Sequence, residues 1–109
     1  MDFASPLPHP GEILREDFME PMGLTAGALA RAMGLKDRTR IERLSRERQP
    51  VTADTAARLA RAFGNSAQFW MNLQQLYELR RAENEIGGEI ATLPRRTGGP
   101  TLRKVRKTA

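Results

Sequence analysis

Helix start and stop signals recur at short intervals along this chain, and they leave room for four short helices and one longer one. Pro6, Pro8 and Pro10 make the first ten residues a non-helical lead-in. Pro10 suits the first position of a helix, where its missing N–H costs nothing. Glu12 follows in the first turn, where the helix dipole favours it. Ile13, Leu14, Phe18 and Met19 come at helical spacing, and Pro21 with Gly23 stops the run. Thr25 is the N-cap of a second helix with Leu29, Ala30 and Met33 as its apolar stripe. Gly34 ends it in a left-handed cap, and Leu35 supplies the apolar contact after that cap. Asp37 caps a third helix with Ile41 and Leu44 inward, and Gln49-Pro50 breaks it. Thr52 caps a fourth, with Ala56, Leu59, Ala60 and Phe63 on one face and Gly64 at its end. Ser66 caps a fifth, with Phe69, Trp70, Leu73, Leu76 and Tyr77, reaching to about Ile86 before Gly87-Gly88. No stretch shows the β-branched alternation of a strand. The expected fold is all-α, five helices joined by short turns.

Composition fixes the scale. The 109 residues, 39% of them hydrophobic, suffice for one thin core. The last segment carries Gly87, Gly88, Pro94, Gly98, Gly99 and Pro100, then Arg103, Lys104, Arg106 and Lys107. That composition reads as a flexible tail. Residues 1–86 are therefore expected to form the folded domain and residues 87–109 a basic C-terminal tail.

Several functions fall away. There is no cysteine, so disulfide scaffolds, cysteine nucleophiles and cysteine-based zinc sites are excluded. His9 is the sole histidine, too little for a His-rich metal site or a Ser-His-Asp arrangement. It reads as a helix-start residue beside Pro10, not as a catalyst. Glu12, Glu16 and Glu20 fall at i, i+4, i+8 and read as a solvent face, since no further ligand joins them. No nucleophile–base pair, metal set or cofactor motif can be assembled, so an enzyme is not expected. No apolar run approaches a membrane span. No basic segment followed by an apolar one marks a secretory signal. The expectation is a soluble cytoplasmic protein.

Charge locates the function. The net +5 of the chain is unevenly placed. Residues 1–30 carry −4, residues 31–61 carry +5, residues 62–86 carry −1 and residues 87–109 carry +5. A basic segment thus lies inside an otherwise acidic to neutral body, over the third helix and its flanks. A short helix, a glycine turn and a second helix loaded with arginine form the pattern of a helix-turn-helix. Ala30 suits the crossing of the two helices, Gly34 the sharp turn. Ile41 and Leu44 bury one edge of the second helix. Thr39, Arg40, Glu42 and Arg43 form the other, with Arg38 at its start. Arginine there can bond guanine O6 and N7, and threonine can meet a thymine methyl. Lys36, Arg46 and Arg48 lie at the margins, placed for phosphates. The candidate DNA-binding set is Lys36, Arg38, Thr39, Arg40, Arg43 and Arg46. The competing reading of these arginines is a solvated face paired with Glu42 and Glu47.

Over about residues 8–83 the sequence resembles the HigA-type antitoxins, a branch of the phage-repressor-like helix-turn-helix family. The resemblance rests on His9-Pro10-Gly11-Glu12-Ile13-Leu14, on Pro21-Met22-Gly23-Leu24 and on Leu29-Ala30-Arg31-Ala32-Met33-Gly34-Leu35. Its most specific part runs from Thr52-Ala53-Asp54-Thr55-Ala56 through Arg58-Leu59-Ala60-Arg61-Ala62-Phe63-Gly64 into Phe69-Trp70-Met71-Asn72-Leu73-Gln74. The resemblance implies a homodimer that binds a palindromic operator DNA, represses its own operon and neutralises a RelE-like toxin that cuts mRNA. Two departures stand out. Ile41 comes seven residues after Gly34, where the family pattern has its inward aliphatic at six. This leaves open by one position which arginines face the bases. Ala26-Gly27 opens the first helix of the pair, where a polar residue, often Gln, is usual. Two other readings fit the same helices: a stand-alone transcriptional regulator without a toxin, and an interaction module that has lost DNA binding.

Overall fold

A computed structural model of the chain describes residues 6–96. Helix α1, Pro10–Ile13, runs without a break into a π-helix, Leu14–Met19. Helices α2 (Ala26–Ala32), α3 (Thr39–Ser45), α4 (Ala53–Phe63) and α5 (Ala67–Ala91) follow. The caps are those the sequence calls for. Thr25 accepts the Ala28 N–H at 3.1 Å, Thr52 the Thr55 N–H at 3.3 Å and Ser66 the Phe69 N–H at 3.0 Å. Each satisfies a backbone donor that the helix leaves orphaned. Gly34, at φ 73°, closes α2: its N–H bonds the Arg31 carbonyl at 3.1 Å and the Leu35 N–H bonds the Ala30 carbonyl at 2.9 Å. That pair of bonds needs a left-handed residue, which glycine supplies without strain.

Three elements differ from the sequence expectation. The first helix is not uniform. The Glu20 N–H reaches back five residues to the Arg15 carbonyl, at 2.9 Å. This wider winding turns Leu14 and Met19 to the same inward side, and both are buried. The third helix ends at Ser45, short of Gln49-Pro50, because Glu47 takes a left-handed conformation at φ 63°. The fifth continues through Gly87 and Gly88 to Ala91, since neither glycine leaves the helical region. Two glycines among good helix formers weaken a helix without stopping it. Of the tail, residues 97–109 lie outside the described residues.

The core is built from Leu14, Leu29, Ile41, Leu44, Leu59 and Trp70, none with accessible surface. Trp70 donates its indole N–H to Asn65 Oδ1 at 2.9 Å, so this large side chain is buried without an unpaired donor. Phe18 packs between Phe63 and Trp70, with ring centroids 4.9 and 5.0 Å away. Leu76, expected to join this stripe, is exposed instead. Gln74 is buried; its carbonyl accepts the Val51 N–H at 2.8 Å and ties the loop after α3 to α5. Gly11 lets α1 meet the end of α3 backbone to backbone. A Cβ there would lie 1.8 Å from the Leu44 carbonyl oxygen.

Candidate nucleic-acid interface

Helices α2 and α3 are joined by a turn around Gly34, and α3 lies with Ile41 and Leu44 fully buried. That burial fixes the rotation of the helix and so which of its side chains point outward. The outward stripe is Thr39, Glu42, Arg43 and Arg46, at i, i+3, i+4 and i+7. With Arg48 and Gln49 these residues line a recess of about 390 Å³. Thr39, Arg43, Arg46 and Arg48 are exposed. Among the described residues Arg43, Arg46 and Arg48 form no ion pair.

The other candidates are placed differently. Arg38 is exposed at the head of α3 and pairs with Glu42 at 3.2 Å. Lys36 is exposed in the turn and borders a second recess, of about 370 Å³, with Asp37, Arg40 and Arg58. Arg40 alone turns away from the stripe. Its guanidinium pairs with the Asp54 carboxylate in the first turn of α4 and also meets Thr55 Oγ1 at 3.3 Å. The structure therefore brings Arg38, Thr39, Arg43 and Arg46 together along α3, with Lys36 beside them, and sets Arg40 against α4.

The frame around α3 was only partly read from the sequence. The Asp37 carboxylate accepts the Thr39 N–H at 2.9 Å, and this bond holds its pKa below the ordinary carboxylate value. It thus serves the start of α3 as expected, although the residue flanking the helix is Arg38, which makes no capping bond of its own. Arg15 donates to the Ser45 carbonyl and pairs with Glu47 at 3.3 Å, so the π-helix grips the far end of α3. Arg58, not singled out from the sequence, donates to the Met33 carbonyl at 2.7 Å and to Asp54 at 2.9 Å. Hydrogen bonds from Arg40 and then Arg58 hold the Asp54 carboxyl below its ordinary pKa. The i, i+4 spacing of Asp54 and Arg58 was the available signal for half of this network. The acidic face behaves as a surface, with Glu16 and Glu20 exposed and Glu12 half-buried. Among the described residues no helix is long and apolar enough to cross a membrane.

Comparison with known proteins extends this geometry. No protein-family model matches the chain. It is 51% identical over 80 residues to virulence-associated protein I of Dichelobacter nodosus, covering 73% of each chain. It is 40% identical over 79 residues to the antitoxin HigA-1 of Vibrio cholerae, covering 72% of this chain and 73% of that one. Among solved structures it is similar to the antitoxin GraA in complex with its operator, with a TM-score of 0.81 and 40% identity over 90% of this chain and 99% of that one. A braced short helix, a glycine turn and an arginine-bearing second helix make this a helix-turn-helix DNA-binding protein. The chain belongs to the HigA-type antitoxins of the phage-repressor-like family, whose members act as DNA-binding regulators and not as enzymes.

Proposed function

We propose that the chain is an operator-binding antitoxin that works as a homodimer on palindromic DNA, represses its own operon and neutralises a RelE-like mRNA-cleaving toxin. The observation that carries the DNA reading is the exposed Thr39–Arg43–Arg46 stripe opposite the buried Ile41 and Leu44. Arg43 and Arg46 are the residues for base edges and nearby phosphates, Thr39 for a thymine methyl, and Lys36 and Arg38 for flanking phosphates. The operator complex of GraA supports this use of the surface. The test is a band shift of the parent and of Arg43→Ala and Arg46→Ala on the protein's own promoter and on a scrambled duplex. Loss of a good base contact is expected to cost about 1–3 kcal/mol on the promoter. Parent binding that ignores scrambling would sink the reading.

The dimer is supported by α5. Leu76, Leu79, Ile86 and Ile90 are exposed, as is Leu93 just beyond the helix. With Glu83 they repeat at three- and four-residue steps, the spacing of a helix seam. A second copy would cover this stripe, and two recognition helices would then meet successive major grooves about 34–36 Å apart. The toxin is supported by the name of the Vibrio relative. Its test is co-purification with the protein encoded beside this one and loss of that protein's mRNA cleavage on mixing. A neighbour that neither binds nor cleaves leaves a regulator without a toxin.

A further inference from the structure

Arg40 belongs to α3 by sequence but to α4 by contact. Its guanidinium pairs with Asp54 and meets Thr55, while its carbonyl accepts from Gln49 Nε2 at 3.3 Å. Asp54 is itself held. Arg58 Nε donates to it at 2.9 Å, and Arg58 Nη1 is anchored on the Met33 carbonyl at the end of α2. The carboxylate is thus held by Arg58 of its own helix, itself anchored on the end of α2, when it receives Arg40. The pair is not sealed from solvent, for Arg40 is 36% and Asp54 56% exposed at the side chain. Arg40 also shares the recess of Lys36, beside the reading stripe. A guanidinium released there is free to reach a phosphate of a bound duplex.

We propose that Asp54 is a specificity-determining residue of DNA binding: by pairing with Arg40 it keeps one cation of the recognition helix out of the sequence-independent attraction to phosphate. The inference rests on α3 being the DNA-reading helix. Non-specific affinity comes from phosphates neutralised, each adding about 0.9 to the salt slope. Arg40 held by Asp54 adds nothing to that count. It fixes α3 against α4 instead, which serves the site where α3 must sit at one angle. Freed, it strengthens binding to any duplex and no longer steadies α3.

The experiment measures binding across a range of salt for the parent, Asp54→Asn, Arg40→Ala and the double variant, on an operator duplex and on a scrambled one. Asp54→Asn is expected to steepen the slope on scrambled DNA by about 0.9. It raises affinity for that duplex several-fold and lowers the operator-to-scrambled ratio. Arg40→Ala keeps the parent slope, and the double variant behaves like Arg40→Ala. Two outcomes overturn the proposal. An Arg40→Ala slope shallower by about 0.9 means that Arg40 already neutralises a phosphate. An Asp54→Asn effect that persists without Arg40 means only that a negative charge was removed. Should Asp54→Asn lose its helical circular dichroism, the Arg40→Ala slope decides by itself. A parent that fails to distinguish the two duplexes refutes the operator reading, while the slopes on scrambled DNA still judge Asp54.

Discussion

His9 starts the first helix with its ring. Nδ1 accepts the Gly11 N–H at 2.8 Å, and the ring packs edge-on against Tyr77 with centroids 4.9 Å apart. Only the neutral ring can accept that bond. Burial pushes its pKa below the ordinary 6.5, against a smaller opposing pull from Glu47. The unfolded chain therefore binds the proton first as pH falls. The stability that neutral His9 contributes is complete above about pH 6.5 and is lost below it. Thermal unfolding from pH 7.5 to 5.5 should show the midpoint dropping more steeply in the parent than in His9→Asn, whose amide caps without titrating. A neighbouring position is sharper still. Gly11→Ala places a methyl on the Leu44 carbonyl, and backbone cannot swing aside as a side chain would. We expect a loss of about 1–3 kcal/mol by chemical denaturation, as for other overpacked sites. The sequence showed His9 as a helix starter because capping is local. It could not show Gly11 against Leu44 or Arg40 against Asp54, since each needs two elements to be brought together.

At the scale of elements the same division holds. Thr25, Thr52 and Ser66 cap where they were expected to, and Gly34 and Gly64 turn left-handed where the helices end. These signals act over one turn and can be read from a window of a few residues. The misread ends are of another kind. The π-winding of Leu14–Met19 follows from burying Leu14 and Met19 together, and Glu47 turns left-handed while paired with Arg15. Neither carries a local signature. Gly87 and Gly88 look like a stop but stand in open helix, with no atom within 4 Å of where a Cβ would point. Replacing both with alanine should raise stability of that last stretch by about 0.5–1 kcal/mol each. Amide exchange across Glu85–Ala91 would slow, with little change in the global midpoint. Unchanged exchange there would mean that the glycines do not weaken the helix.

For the whole molecule, the arginine helix and its charge were legible because nine bases crowd residues 31–61. Which arginines face outward was not, because it depends on the rotation set by Ile41 and Leu44 in the core. The exposed seam of α5 gives the prediction of widest reach. Leu79→Glu with Ile86→Glu changes side chains that are 57% and 44% exposed, so the fold should persist by circular dichroism. For the proposed dimer, sedimentation is expected to shift towards monomer, with operator affinity falling as the paired half-sites lose their link. A variant that still sediments as a dimer would place the interface elsewhere. The length of α3 has its own consequence. At seven residues, with an N-cap residue, Arg38, whose side chain makes no capping bond, it is far below what persists alone in water. Asp37, Arg15, Gly11 and the buried Ile41 and Leu44 keep it wound. The proposed reading surface is thus not a portable part: cut out as a peptide or moved to another frame, the same arginines would have no fixed directions in which to point.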